Sequence, residues 1–214
     1  MTKRSPLRLA IGLAAAVLVV QGGGLAWAQP VGDNLIVNGD AEAGAGAASS
    51  SDVVPPPGWS VTGQFTAVQY GASGGFPDQT SPGPPHRGHN FFAGGNAPLS
   101  TASQTVSLAA YRSQIDAGKA RFVLDGWLGG YEAQGDAATV TLVFKNLAGK
   151  TVGAPARLGP ATPEDRKNQT GLFRRAVSGL APAGAATALV TITLTRVEGS
   201  YNDGSVDDLS LVVK

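Results

Sequence analysis

Two groups of carboxylates stand at opposite ends of this chain. Asp40 and Glu42 follow the run Asn34 to Gly39, and Asp203, Asp207 and Asp208 lie within Tyr201 to Val213. A hard cation such as Ca²⁺ takes about six to eight oxygen ligands, so acids that converge where a first and a last strand meet can clasp one. The same residues also read as solvated strand-end carboxylates, with Asp40 in an Asn-Gly-Asp turn. The residues alone leave both readings open. A second chemistry is offered by aromatic rings beside polar groups. Tyr131 lies beyond Gly129-Gly130 and ahead of Glu132, Gln134 and Asp136, and Tyr201 adjoins Asn202 and Asp203. A ring can cover the C–H face of a sugar while acids and amides take its hydroxyls. Tyr201 to Gly204 is equally a turn by composition. Trp59, after Pro57-Gly58, and Trp127, near Leu124 and Leu128, read as core aromatics.

Catalytic signatures are sparse. His86 and His89 have H-x-x-H spacing, but the chain has two histidines and no cysteine, so no zinc set can be completed around them. No H-E-x-x-H, P-loop or dinucleotide fingerprint occurs. Glu132 and Asp136 form a carboxylate pair of the kind glycoside hydrolysis uses, although paired acids are common.

The elements that must position these groups are strands. Gly and Pro supply 30 and 14 of the 214 residues, and charged residues only 14%. Thr, Val and Leu alternate in short runs, an all-β composition with many turns. Strands are expected at Asn34 to Val37, within Trp59 to Tyr70, and from Phe91. Others are expected at Ser103 to Leu108, Lys119 to Leu128, Thr139 to Asn146, Thr151 to Leu158, Leu172 to Leu180, Ala188 to Val197 and Val206 to Val213. In the stretch Lys119 to Leu128, Phe122 and Leu124 face one way and Val123 and Trp127 the other. Gly71 to Gly88 is long and Pro-rich, a length that marks a functional or mobile loop. Eight or nine strands with period-2 alternation predict a two-sheet β-sandwich, and a jelly roll in particular.

The N-terminus reads as an export signal, residues 1–28. Lys3, Arg4 and Arg8 precede an apolar run from Leu9 to Val20, and Ala26-Trp27-Ala28 suits cleavage after Ala28. One domain, 29–214, follows. Losing those three basic residues leaves 13 against 15 acidic ones and moves the formal charge from +1 to −2. A nearly neutral chain has no general attraction to nucleic acid or anionic lipid. No later segment is apolar enough to span a membrane. Without cysteine, disulfides and thiol chemistry are excluded.

Asn34-Leu-Ile-Val-Asn-Gly-Asp-Ala-Glu-Ala-Gly44 with its later Gly-Trp step, and Asp203-Gly-Ser-Val-Asp-Asp-Leu-Ser-Leu-Val-Val213, resemble the termini of galactose-binding-like jelly rolls. So does the middle, where Ser103-Gln-Thr-Val-Ser-Leu108 is followed by Gly126-Trp-Leu-Gly-Gly-Tyr131 and Thr139-Val-Thr-Leu-Val-Phe144. That superfamily includes bacterial carbohydrate-binding modules and sugar-binding F-box-associated domains. The chain looks like the stand-alone form found in exported actinobacterial proteins. The resemblance implies a secreted or cell-envelope, non-catalytic carbohydrate-binding module. It also implies a structural calcium at Glu42 and Asp207, with Asp40 as a neighbour. Tyr131, Gln134, Asp136, Tyr201, Asn202 and Asp203 are the expected ligand contacts. A structural or protein-interaction module without a sugar site, and a glycan-active hydrolase, are the alternatives. A Gly/Ala/Ser insertion after Glu42 departs from the family pattern.

Overall fold

The computed structural model describes residues 32–214; the expected export signal lies outside the described residues. Eleven strands are formed among them. They are β1 (Ala47–Ser49), β2 (Ser60–Thr62), β3 (Thr66–Ser73), β4 (Asn90–Ala93), β5 (Leu99–Ser107), β6 (Arg121–Gly130), β7 (Ala137–Lys145), β8 (Ala156–Leu158), β9 (Gly171–Leu180), β10 (Thr187–Thr195) and β11 (Ser205–Val213). One short helix, α1 (Arg112–Asp116), continues a 3-10 turn in the connection from β5 to β6. No helix among the described residues is long and apolar enough to cross a membrane.

The strands form two sheets, ordered β1-β3-β4-β11-β6-β9 and β2-β5-β10-β7-β8. Strands β4 to β11 alternate between the sheets up to the β7–β8 hairpin and then return beside their predecessors. Thus β4 lies beside β11, β5 beside β10, and β6 beside β9. A long hairpin wrapped across two sheets in this way is a jelly roll.

Alternation explains the packing. In β7 and β10, Ala138, Val140, Leu142 and Phe144 and then Ala188, Val190, Ile192 and Leu194 are buried, while the threonines between them face outward. Each large side chain buried this way contributes about 1.5–3 kcal/mol. Phe122, Leu124 and Leu128 of β6 join the same inter-sheet core. Trp59 belongs to it too, and its indole N–H donates to the Asn38 carbonyl at 2.9 Å.

Three expectations change. Asn34 to Val37 is no strand. The segment lies extended and then turns against β11, and the Asn34 side chain replaces the ladder. Its Oδ1 accepts the Ile36 and Leu211 N–H groups, and its Nδ2 donates to the Leu209 carbonyl. Left-handed backbone at Asn38 (φ 52°) and Ala41 (φ 60°) prevents a strand from continuing. The ends of the chain nevertheless meet, since Leu35 N–H donates to Leu211 and Leu209 N–H to Gly39. Second, Trp127 is not core. It is partly exposed on the outer face of β6, opposite Arg174 of β9 and Asp207 of β11. Third, the long loop after β3 packs down. Phe76 stacks edge-on against Phe91 and Tyr201, Arg87 lies over the Tyr70 ring, and Leu172 N–H donates to Pro82. This builds a small second core around Val68 and Phe91 and covers part of the six-stranded sheet's outer face.

Candidate functional site

Beside that covered region, the outer face of the six-stranded sheet opens into a cleft of about 410 Å³. Its walls come from the N-terminal segment with Asp40, the end of the long loop with His86, β6 with Asp125 and Trp127, and β11 with Asp208 and Ser210. A β-bulge shapes it. Asp207 pairs with Trp127 and Ser210 with Asp125, so Asp208 and Leu209 together oppose the single residue Gly126. A Cβ at Gly126 would stand 2.9 Å from Leu209 Cδ1, which is why glycine fits there. Asp208 itself takes a left-handed conformation (φ 47°), and its N–H donates to Asp207 Oδ1 at 2.7 Å.

The cleft's electrostatics are one-sided. Asp125 is 4% exposed and held by Arg174 through Nε at 3.0 Å and Nη2 at 2.6 Å. Asp208 is half-buried, and its carboxyl is raised above its ordinary value, chiefly by burial. Asp40, Asp125 and Glu42 push it in the same direction, against His86.

A second recess, about 440 Å³, adjoins the first across the N-terminal segment and is lined by Glu42, Gly46, Gln69, Tyr70, Gln79 and Asn90, among others. Glu42 Oε1 accepts the His89 and Asn90 N–H groups at 2.8 and 2.7 Å. Asn90 is buried, its Nδ2 donates to Ala41 and Gly44, and its Oδ1 has no hydrogen-bond partner. Asp207 is fully buried and accepts the Tyr70 hydroxyl at 2.6 Å. Burial pushes Asp207 up to about 8, the Tyr70 hydrogen bond counters this in part, and Asp208 and Glu42 add to it. Burial and the Asp207 carboxylate also raise the Tyr70 hydroxyl. Glu42, Asp207 and the orphaned Asn90 Oδ1 are the hard oxygen donors calcium uses. Protein side chains alone do not complete a site, because no group of three or more His, Asp and Glu positioned to hold a metal ion occurs among the described residues. Asp40 stands apart from Glu42. Left-handed Ala41 separates the two, and they line different recesses.

The six expected sugar contacts are divided by the fold. Asp136 is buried, and its carboxylate accepts the N–H groups of Val197, Glu198 and Asp203 at 2.7, 3.0 and 2.8 Å. Asn202 is fully buried and donates to Leu194 and Ala97. Both residues hold loops together and present nothing to a ligand, which corrects their reading as contacts. Burial of Asp136 also removes it from the suspected carboxylate pair with Glu132. Gln134 and Tyr201 each keep a buried polar atom without a hydrogen bond, Oε1 and the hydroxyl respectively. Tyr131 and Asp203 share a recess with Phe76, and its volume is about 10 Å³. That is room for about one water molecule. Asp203 is pushed up to about 7 by burial and by Asp136, against Arg166.

Several residues escaped sequence reading. Arg166, in an apparently polar loop, is fully buried and donates to the carbonyls of Ala161, Glu132, Gln169 and Gln134. Burial lowers its pKa. Gly71-Ala72-Ser73-Gly74-Gly75 has the spacing of a nucleophile elbow, but Ser73 ends β3 and a turn follows instead of the helix an elbow requires. Trp127 had a signal: its alternation with Leu124 and Leu128 placed it on the opposite face.

No family model and no curated protein matches the sequence. Among solved structures, the enzymatically active domain of tailspike protein 4 from bacteriophage CBA120 superposes with a TM-score of 0.50 at 12% identity. The match covers 85% of this chain and 21% of that one. The fold is a two-sheet jelly roll. A family 61 carbohydrate-binding module solved with β-1,4-galactotriose gives a TM-score of 0.49 at 13% identity, covering 85% of this chain and 99% of its own. A family 16 carbohydrate-binding module gives 0.46 at 21%, covering 84% and 99%. The chain spans about a fifth of the tailspike domain's length. At these identities the likeness is one of fold.

Proposed function

We propose that this chain is an exported, non-catalytic carbohydrate-binding module. The observation that carries the reading is Trp127, a partly exposed indole on a sheet face, lining a cleft together with Asn38, Asp40, Asp125, Asp208 and Ser210. An aromatic plane beside hydrogen-bonding groups suits a saccharide, which has an apolar C–H face and a rim of hydroxyls. Trp127 stands on a strand paired on both sides, so its backbone is fixed before any ligand arrives, which lowers the ordering cost of binding. The expected contacts thus move from the six loop residues to the cleft.

Calcium has a structural part in this reading. Glu42 and Asp207 would hold it, with the Asn90 amide oxygen as a further donor. A bound ion would tie the N-terminal segment to β11 and stabilise the fold by binding only the folded chain. The signal-like composition of residues 1–28 supports export to the cell exterior or envelope.

The test is a glycan array probed with the mature chain 29–214, followed by titration of each hit against wild type and Trp127→Ala. We expect Trp127→Ala to weaken binding at least about tenfold, as loss of a stacking platform does. The variant should melt within a few degrees of wild type, because the indole lies outside the core. A folded protein that binds no glycan class would sink the reading.

A further inference from the structure

We propose that the cleft recognises a cationic amino sugar, a saccharide with a free ammonium group, using Asp208 as its counter-ion and Trp127 as its platform. The inference rests on the carbohydrate reading and narrows its ligand class.

Charge is imbalanced within the cleft. Asp40, Asp125 and Asp208 line the cleft, and among the described residues His86 is the only basic side chain that does. Arg174 answers Asp125 with a two-pronged ion pair. Among the described residues, Asp208 has no such partner, and no hydrogen bond to its carboxylate oxygens is made. It is also partly withdrawn from water. A carboxylate taken partly out of water without a partner is unfavourable, and a ligand cation removes that cost.

The backbone points the same way. The bulge at Asp208-Leu209 breaks the alternation of β11, so Asp207 and Leu209 are buried while Asp208 lines the cleft. Bulges often re-aim a side chain beside a binding site. The indole adds a second attraction, since a cation over the face of a tryptophan is stabilised by the ring quadrupole. An ammonium carried on a sugar ring satisfies both walls at once, the C–H face against Trp127 and the charge toward Asp208. The volume, about 410 Å³, suits a short saccharide. The same field disfavours uronic acids and phosphorylated or sulfated sugars, which would bring like charge against Asp40 and Asp208.

The experiment uses tetrasaccharides of one β-1,4-glucan backbone that differ only at carbon 2, as ammonium, acetamide or hydroxyl. Each is titrated calorimetrically into the mature chain in low salt at about pH 7, where an amine of pKa near 8 is mostly protonated. We expect the ammonium form to bind about tenfold more tightly than the other two, the scale of one partly desolvated charge contact with a cation–π contribution. Asp208→Asn, whose side chain tolerates the left-handed backbone equally well, should collapse that ratio. Its melting curve serves as the folding control, and Asp40→Asn is a second variant expected to reduce the ratio less. Equal affinities, or a preference for the acetamide or hydroxyl form, overturn the inference and leave the module reading standing. Trp127-dependent binding of some other glycan, with none of the three bound, has the same consequence. No binding to any glycan removes both.

Discussion

Two polar regions of this molecule are both rich in aspartate and have opposite roles. Near Arg166 lie Asp136 and Asp203; around Trp127 lie Asp40, Asp125, Asp208 and His86. In the first, Asp136 serves three backbone N–H groups and Arg166 serves four carbonyls, so the loops leading into β7, β9 and β11 are fastened together. In the second, Asp208 and the indole are left facing a cleft. Residue type therefore does not make a site. What distinguishes the two is hydrogen-bonding capacity left over after the fold has taken its share.

The largest effect expected from breaking this contrast is on stability, at the fastened end. Asp136→Ala strips an acceptor from three backbone donors in a buried setting, and unpaired buried donors cost about 1–3 kcal/mol each. Because the donors can partly re-solvate in loops, we expect a total on the order of 4 kcal/mol, a melting point lowered by roughly 10 °C. Thermal and urea unfolding measure it. A loss below about 1 kcal/mol would mean that Asp136 is not the fastener its geometry makes it.

The next effect concerns the recess lined by Glu42, Tyr70 and Asn90, whose Tyr70 hydroxyl reaches buried Asp207. Calcium at about 100 times its dissociation constant should add about 2.7 kcal/mol, a rise of roughly 5–10 °C over the same protein in EDTA. Asp207→Ala should abolish the rise. An equal rise in the variant would place any calcium elsewhere.

How much of this was readable beforehand follows from the range of the interactions involved. The sandwich was, because inward and outward positions in β7 and β10 are set by neighbours two residues apart. The meeting of the two ends was also legible in the matching motifs, although Asn34 makes that contact with its side chain and not through a strand ladder. The burial of Asp136 and Asn202 was not, because their partners Val197, Glu198 and Ala97 lie 61, 62 and 105 residues away. Nor was the separation of Asp40 from Glu42, which turns on an alanine in left-handed backbone, a conformation alanine seldom adopts. Trp127 lay between these cases. Its alternation gave the correct face, and the apolar neighbours Leu124 and Leu128 suggested the wrong environment.

Titration offers an effect that tells the recess from the fastened loops. Folded Asp207 and Asp203 keep their protons up to about pH 8 and about pH 7 respectively. An unfolded aspartate releases its proton near pH ~3.9. Over that window the folded chain binds more protons, so stability is greatest at the acid end and falls as pH rises toward the folded values. In EDTA we expect the melting point to drop steadily between about pH 5 and about pH 8. Calcium should remove the part due to Asp207, whose ionised form it stabilises. Asp203→Asn should remove the other part whether or not calcium is present. A melting point that climbs over this range reverses the sign and refutes both assignments.

The smallest expected effect is the sharpest test of the contrast. Tyr131 is the aromatic a sequence reader would choose for a sugar platform, because it follows two glycines and precedes three polar residues. In the fold it shares with Phe76 and Asp203 a hollow of about 10 Å³, too small for a sugar ring. Tyr131→Ala should therefore change affinity for any bound glycan by less than about twofold, or about 0.4 kcal/mol, in the same titrations that read Trp127→Ala. Should Tyr131→Ala abolish binding while Trp127→Ala leaves it intact, the roles of the two regions exchange. The loops around Arg166 would then have to open on binding, and the orphaned Tyr201 hydroxyl and Gln134 Oε1 would be the groups that a ligand satisfies.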